Sequence, residues 1–205
     1  MTPEEWIALL ALAGASSFTP GPNTTLSTAL AANRGLAHAM PFIFAVPVGW
    51  GLLLGICASG LGGLIVALPL VRWLIQGLGF AYLLWLAIQL LKTRSLLSTD
   101  ATPLRVGFFR GVMLQFLNIK AWMLALSVIA GWLAGHADHS ERLALVLPVM
   151  MAFGFFSNLT YAVIGSLLRD WLSGPDGSML RLQRFNQFMA FALVMTAIWM
   201  AKLST

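Results

Sequence analysis

Thr19-Pro20-Gly21-Pro22-Asn23 interrupts an apolar stretch, with Trp6–Phe18 before it and Thr24–Ala32 after it. Proline has no backbone N–H to donate and clashes with the preceding turn, so no regular helix runs through these five residues. The surroundings make the interruption costly. The chain is 59% hydrophobic and only 9% charged, whereas soluble domains carry about 25% charged residues. A water-soluble protein of 205 residues has too little interior to hide that much apolar surface, so an integral membrane protein is expected. In lipid, a helix break persists only where it is buried in protein or lines a cavity. A double-proline break at membrane depth therefore points to a binding site or a gate, as in secondary transporters with discontinuous helices.

A span needs roughly 20 apolar residues. Six segments qualify: 5–31, 39–67, 70–91, 107–134, 143–168 and 184–203. They are separated by Asn33-Arg34-Gly35, by Pro69, and by the polar stretches Lys92–Arg105, Gly135–Arg142 and Arg169–Arg184. The expected fold is an all-α integral membrane protein of one domain, 1–205. Repeat one covers about 1–92, a cytoplasmic loop about 93–106, and repeat two about 107–205. Three spans per half invert the second half relative to the first, the plan of inverted-repeat transporters. Each half carries an irregularity near mid-bilayer: Pro20–Asn23 in span one and Gln115–Lys120 in span four, roughly 23 and 17 Å from their span starts at about 1.5 Å per residue. Helices 1 and 4 are thus expected to be broken.

Basic residues set the orientation. Arg34, Lys92, Arg94, Arg105, Arg110, Arg169, Arg181 and Arg184 fall on one side, and Arg72, Arg142 and Lys202 on the other. By the positive-inside bias the first side is cytoplasmic and both termini lie outside, periplasmic or extracellular. Trp6, Trp73, Trp132 and Trp199 then sit near the outer interface and Trp171 near the inner one. Glu4 and Glu5 replace a basic n-region, which argues against a cleaved signal peptide. All seven carboxylates (Glu4, Glu5, Asp100, Asp138, Glu141, Asp170 and Asp176) fall in termini or loops.

Several functions are disfavoured. The net charge of +5 comes from loops between apolar segments and does not mark a nucleic-acid binder. The single Cys57 excludes an internal disulfide and a thiol relay. No nucleophile–base set or glycine-rich phosphate loop stands out, so an enzyme or ATP-driven pump is not expected. His136, Asp138 and His139 suit a metal by type, but they form a polar loop without further ligands, so neither metal nor cofactor is expected. The pairs Gly51/Gly55, Gly107/Gly111 and Gly131/Gly135 suit close helix packing, either within one chain or in a homodimer.

At the break, carbonyls released before the prolines could bind an ammonium group. Free N–H groups after them could bind a carboxylate, and Asn23 or Thr24 could cap the second half-helix. Lys120 is a cation inside span four, where charge is costly and functional by default. Its candidate partners are the opened carbonyls of span one or a substrate carboxylate. A lysine alternating between charged and neutral forms could instead carry a coupled proton. Alternatively, Lys120 snorkels to the interface. Gln115, Asn118, Ser157, Asn158, Thr160, Tyr161, Asn186 and Gln187 line spans four to six as path residues or as interhelical hydrogen-bond partners. Ser157 and Tyr161 share a helical face, and Asn158 and Asn186 are the stronger substrate candidates.

Thr19-Pro20-Gly21-Pro22-Asn23 in the first span and Leu114-Gln115-Phe116-Leu117-Asn118-Ile119-Lys120 in the fourth resemble the two motifs of the LysE/RhtB superfamily of amino-acid exporters. In most of that superfamily the second motif reads Asn-Pro-Lys. With isoleucine in the middle, this chain is most similar to the cysteine/O-acetylserine branch. The resemblance covers nearly the whole length. It implies a secondary transporter of the bacterial inner membrane that exports small amino acids or derivatives by alternating access. The site it implies centres on Thr19, Pro20, Gly21, Pro22, Asn23, Asn118 and Lys120. Many members carry an aspartate after a glycine in the second span, where this chain reads Gly49-Trp50. Without intramembrane carboxylates, a doubly basic substrate has no evident counter-charge, and neutral substrates are expected. An exporter of ions or other small solutes is the alternative.

Overall fold

The structure, a computed structural model, describes residues 1–60, 62, 67–93, 106–174 and 179–202, with residues 72 and 202 described by their backbone alone. The polar loop expected at 93–106, with Arg94, Asp100 and Arg105, lies almost wholly outside the described residues, as does Asp176. The described part is helical. In order come α1 (Pro3–Phe18), α2 (Pro22–Arg34), α3 (Leu36–Ala58), α4 (Pro69–Lys92), α5 (Phe108–Phe116), α6 (Ile119–Val128) with a π-helical turn (Ile129–Leu133), α7 (His139–Ser173) and α8 (Leu180–Lys202). The order broken helix, long helix, long helix is met twice.

Among the described residues, helices α3, α4 and α7 are each long and apolar enough to cross a membrane, and the bent pair α5–α6 with its π-helical turn is a fourth if it is counted as one span. The pair turns by 67° at its break. Helices α1 and α2 have 16 and 13 residues, each too short to span alone.

Two expected boundaries shift for identifiable reasons. The span expected at 39–67 is a helix that stops at Ala58, because Gly60 takes a left-handed φ of 87°. The span expected at 143–168 is a 35-residue helix, about 52 Å long. Glu141 and Arg142 begin it, Arg169 and Asp170 lie in its last turns, and nothing breaks it before Gly174 at φ 71°. Glu4 and Glu5 similarly lie in the first turn of α1 rather than in a loop.

Helix α2 is the centre of the bundle. Every residue from Thr24 to Asn33 is buried, although threonine, serine and asparagine make up much of it. A polar helix can be buried when its side chains bond locally or across a close contact. Thr28 Oγ1 donates to the Thr24 carbonyl (2.9 Å), and Ser27 Oγ donates to Asn158 Oδ1 of α7 (2.8 Å). Small side chains also let α7 approach closely: a Cβ at Gly165 would stand 2.3 Å from the Thr28 carbonyl oxygen. Glycines serve the same end between α3 and α5, where a Cβ at Gly111 would meet Ala45 and one at Gly49 would meet Val112 and Gln115. Of the glycine pairs marked in the sequence, Gly111 and Gly51 thus pack within the chain, Gly51 against Met151.

Polar ties hold both ends of the broken helix α1–α2. At the start of α1, Arg142 bonds Glu5 (2.9 Å) and Asp138 (3.0 Å), and Trp132 Nε1 donates to the Glu5 carbonyl (3.0 Å). Asp138, one of the three residues weighed for a metal, thus faces a guanidinium, while His139 lies beside Ser140 Oγ. The Arg142 guanidinium beside Asp138 holds its carboxyl below the usual carboxylate range. A carboxylate depressed in the folded state stabilises it fully above the unfolded pKa of about 4 and ceases to do so as pH falls through the lower folded value. Melting temperature in detergent should therefore drop below about pH 4, and the Asp138→Asn protein should start lower at neutral pH and show a shallower acid limb. An unaltered acid limb in that variant would exclude this contribution.

Candidate functional site

The site begins with missing donors. In a regular helix the carbonyls of Ser16, Ser17 and Phe18 would accept from residues 20, 21 and 22. Residues 20 and 22 are prolines, and Gly21 gives its N–H to Thr24 Oγ1 (2.9 Å). Thr19 and Gly21 are extended, which leads the chain away from the helix axis and frees the Thr19 carbonyl as well. Three of these four carbonyls are taken by side chains from the second half of the chain. Ser157 Oγ donates to Ser17 (2.6 Å), Tyr161 OH to Phe18 (2.9 Å) and Lys120 Nζ to Thr19 (3.3 Å). The Ser16 carbonyl has no partner among the described residues.

The second break is built differently. Asn118 is extended and caps α6, its Oδ1 accepting from the Lys120 N–H (3.1 Å). The Phe116 carbonyl, released by the bend, accepts from Trp122 Nε1 (2.9 Å). Gly79 of α4 presses on the same bend, where a Cβ would stand 2.1 Å from the Leu117 oxygen. The two breaks meet through a reciprocal amide pair. Asn23 Nδ2 donates to Gln115 Oε1 (2.8 Å), and Gln115 Nε2 donates to Asn23 Oδ1 (3.2 Å) and to the Gly111 carbonyl (3.1 Å). With Asn23 engaged there, Thr24 supplies the side-chain bond at the start of α2.

One cavity lies between the breaks, with a free volume of about 80 Å³. On the same measure one water needs about 10–15 Å³. Among the residues singled out from sequence, Thr19, Gly21, Pro22, Asn23, Gln115, Asn118, Lys120 and Asn158 line it. Pro20, Tyr161 and Asn186 do not. Pro20 acts through the bond it withholds, and the Tyr161 hydroxyl is spent on Phe18. Asn186 was a candidate substrate contact because a buried amide is costly, but its amide is saturated elsewhere. It exchanges bonds with Asn33 (2.9 and 2.7 Å) and donates to the Thr93 carbonyl (3.0 Å), tying the end of α2 to α4 and α8. Ser157, marked as a path residue, is likewise held by Ser17.

Ser16, Thr24, Trp50 and Met150 also line the cavity; Thr24 was read from sequence only as a cap of the second half-helix, and the other three were not candidates for the site. Ser16 was legible in principle, four residues before Pro20. Trp50 is 7% exposed, and its Nε1 is buried without a partner among the described residues. Such an orphan donor costs about 1–3 kcal/mol. Among the described residues no carboxylate lines the cavity, and Lys120 is the lining cation. At the start of α2 the N–H groups of Asn23 and Thr24 have no partner among the described residues, as the first turn of any helix leaves them.

A helical, strongly apolar chain, broken twice around one small cavity with polar groups at the breaks, belongs to the class of membrane translocators. The chain is a member of the LysE type translocator family, whose model matches residues 15–201. It is 26% identical to a cysteine/O-acetylserine efflux protein of Klebsiella pneumoniae over 198 residues, 97% of each chain. Proteins of the same description from Salmonella choleraesuis and Escherichia coli O1:K1 are 26% and 24% identical. Those matches cover 75% and 82% of this chain and 78% and 86% of theirs. No solved structure matches. The chain is therefore a transporter of the membrane and not an enzyme.

Proposed function

We propose that the protein exports small, neutral amino acids or derivatives of the cysteine/O-acetylserine kind across the bacterial inner membrane, as a secondary transporter working by alternating access. The carrying observation is the pairing of opposite needs in one cavity. Lys120 Nζ and the N-terminus of α2 suit a carboxylate, and the unpartnered Ser16 carbonyl suits an ammonium group. A zwitterion presents both. The described lining holds no carboxylate, which favours a substrate without a second positive charge. The small volume suits a small amino acid rather than a bulky one. An ion exporter, the alternative class, is less well served, because Lys120 repels a cation.

Six spans in two inverted halves, α1–α4 and α5–α8, are the architecture proposed for this cycle, with both termini outside. The substrate sits where the two broken helices face one another, and the halves rock about it. Lys120 is the coupling candidate.

Counterflow in proteoliposomes tests the reading. Liposomes preloaded with cysteine or O-acetylserine should accumulate the labelled compound several-fold over liposomes preloaded with lysine or arginine, and a pH gradient should change net efflux. Counterflow of lysine equal to that of O-acetylserine would refute the neutral-substrate assignment. A lack of counterflow with every amino acid would refute the export reading.

A further inference from the structure

Helix α3 contributes Val46, Pro47 and Trp50 to the cavity, and these stand with Leu124 and Met150 as its apolar lining. The polar lining comes from the two breaks and from Asn158 on α7. A zwitterion whose charged groups engage Lys120, the start of α2 and Ser16 leaves its side chain to the apolar lining. Trp50 is one of the lining residues, and its indole N–H is buried with no partner among the described residues. Its helix is fixed beside the second break, because Gly49 allows the α3 backbone to lie against Val112 and Gln115 of α5. Indole donates and cannot accept, so it distinguishes a side chain that offers an oxygen from one that does not. A site with a buried donor rejects an analogue lacking the matching acceptor, because the donor is then left unpaired.

We propose that Trp50 determines side-chain specificity, its indole N–H pairing with a carbonyl oxygen on the substrate side chain, as in an O-acyl ester or an amide. This rests on the export reading above and deepens it: the preferred substrate class is a small zwitterion with an acceptor beyond its β-carbon.

The test compares O-acetylserine with O-ethylserine, in which the ester carbonyl is a methylene, using wild type and Trp50→Phe in proteoliposome counterflow. Phenylalanine keeps an aromatic ring and removes the N–H. Wild type should prefer O-acetylserine by roughly three- to tenfold in half-saturating concentration, the range of one neutral hydrogen bond. Trp50→Phe should erase most of that ratio by weakening O-acetylserine more than O-ethylserine. Equal weakening of both compounds, or a wild type that does not discriminate, would overturn the proposal while leaving export intact. No counterflow of any amino acid by wild type would overturn both. Substrate-free melting in detergent is the second readout. The variant should melt no lower than wild type, since an unpaired donor has been removed. A clear drop would make the N–H a structural bond and overturn the proposal.

Discussion

Lys120→Met is expected to lower counterflow efficiency by roughly 10- to 100-fold, the range of a charge-assisted hydrogen bond worth about 1.5–3 kcal/mol. The ammonium is half-buried and gives one hydrogen bond to the Thr19 carbonyl at 3.3 Å. An ammonium has three donors, so two remain to meet a carboxylate at the cavity. Methionine keeps much of the length and loses all three donors. Stability should move the other way or not at all, because a charge in the bilayer is costly and the released Thr19 carbonyl lies at an exposed position. That split separates a transport role from a structural one. If Lys120 also carries the coupled proton, residual transport in the variant should lose its pH dependence. Wild-type rates with unchanged pH dependence would remove Lys120 from both roles.

Gly165→Ala should be among the most disruptive single-methyl substitutions in the bundle core, costing about 3 kcal/mol or more, the upper end of overpacking. The new Cβ would stand 2.3 Å from the Thr28 oxygen and 3.0 Å from its Cα and carbonyl carbon. These are backbone atoms of a helix buried on all sides, so no side chain can turn aside to make room. Relief requires α2 and α7 to separate. Separation would stretch the Ser27–Asn158 bond next to the cavity, so transport should fall with stability. Gly55→Ala is the matched control. No described residue lies within 4 Å of its Cβ position, and alanine in a helix interior is favoured over glycine by about 1 kcal/mol. Equal melting temperatures for the two variants in detergent would contradict the close α2–α7 contact.

The location of the first break was legible because proline chemistry is local. Pro20 and Pro22 withhold the N–H groups that Ser16 and Phe18 need, and this follows from spacing alone. The donors that replace them were not legible. Ser157, Tyr161 and Lys120 lie more than 100 positions away, and no short-range pattern records which carbonyl each will meet. The shared face of Ser157 and Tyr161 could be read from helical periodicity, and it also suits two donors to adjacent carbonyls. Asn186 illustrates the limit of arguing from cost. A buried amide must find partners, but its partner is Asn33, which the sequence reading assigned to a separator between spans. The central place of helix α2 was not legible, because no short-range pattern records which helix its small polar side chains will meet. Thr24, Ser27 and Thr28 are bonded within the bundle, and the closeness of Gly165 to Thr28 is what brings α7 against α2. Trp50 was visible only as a departure from a family pattern, and its missing partner required the packed structure.

The two ties at the ends of α1–α2 differ in kind. Arg142 with Glu5 and Asp138 is ionic, whereas Asn33 with Asn186 and Thr93 is a neutral amide knot. Salt screens partly exposed charges over a Debye length of about 10 Å at 0.1 M and leaves a buried amide pair almost untouched. The surrounding medium therefore has a handle on one end of the molecule and none on the other. Acid or salt can loosen the fastening near the N-terminus while the opposite fastening keeps its strength.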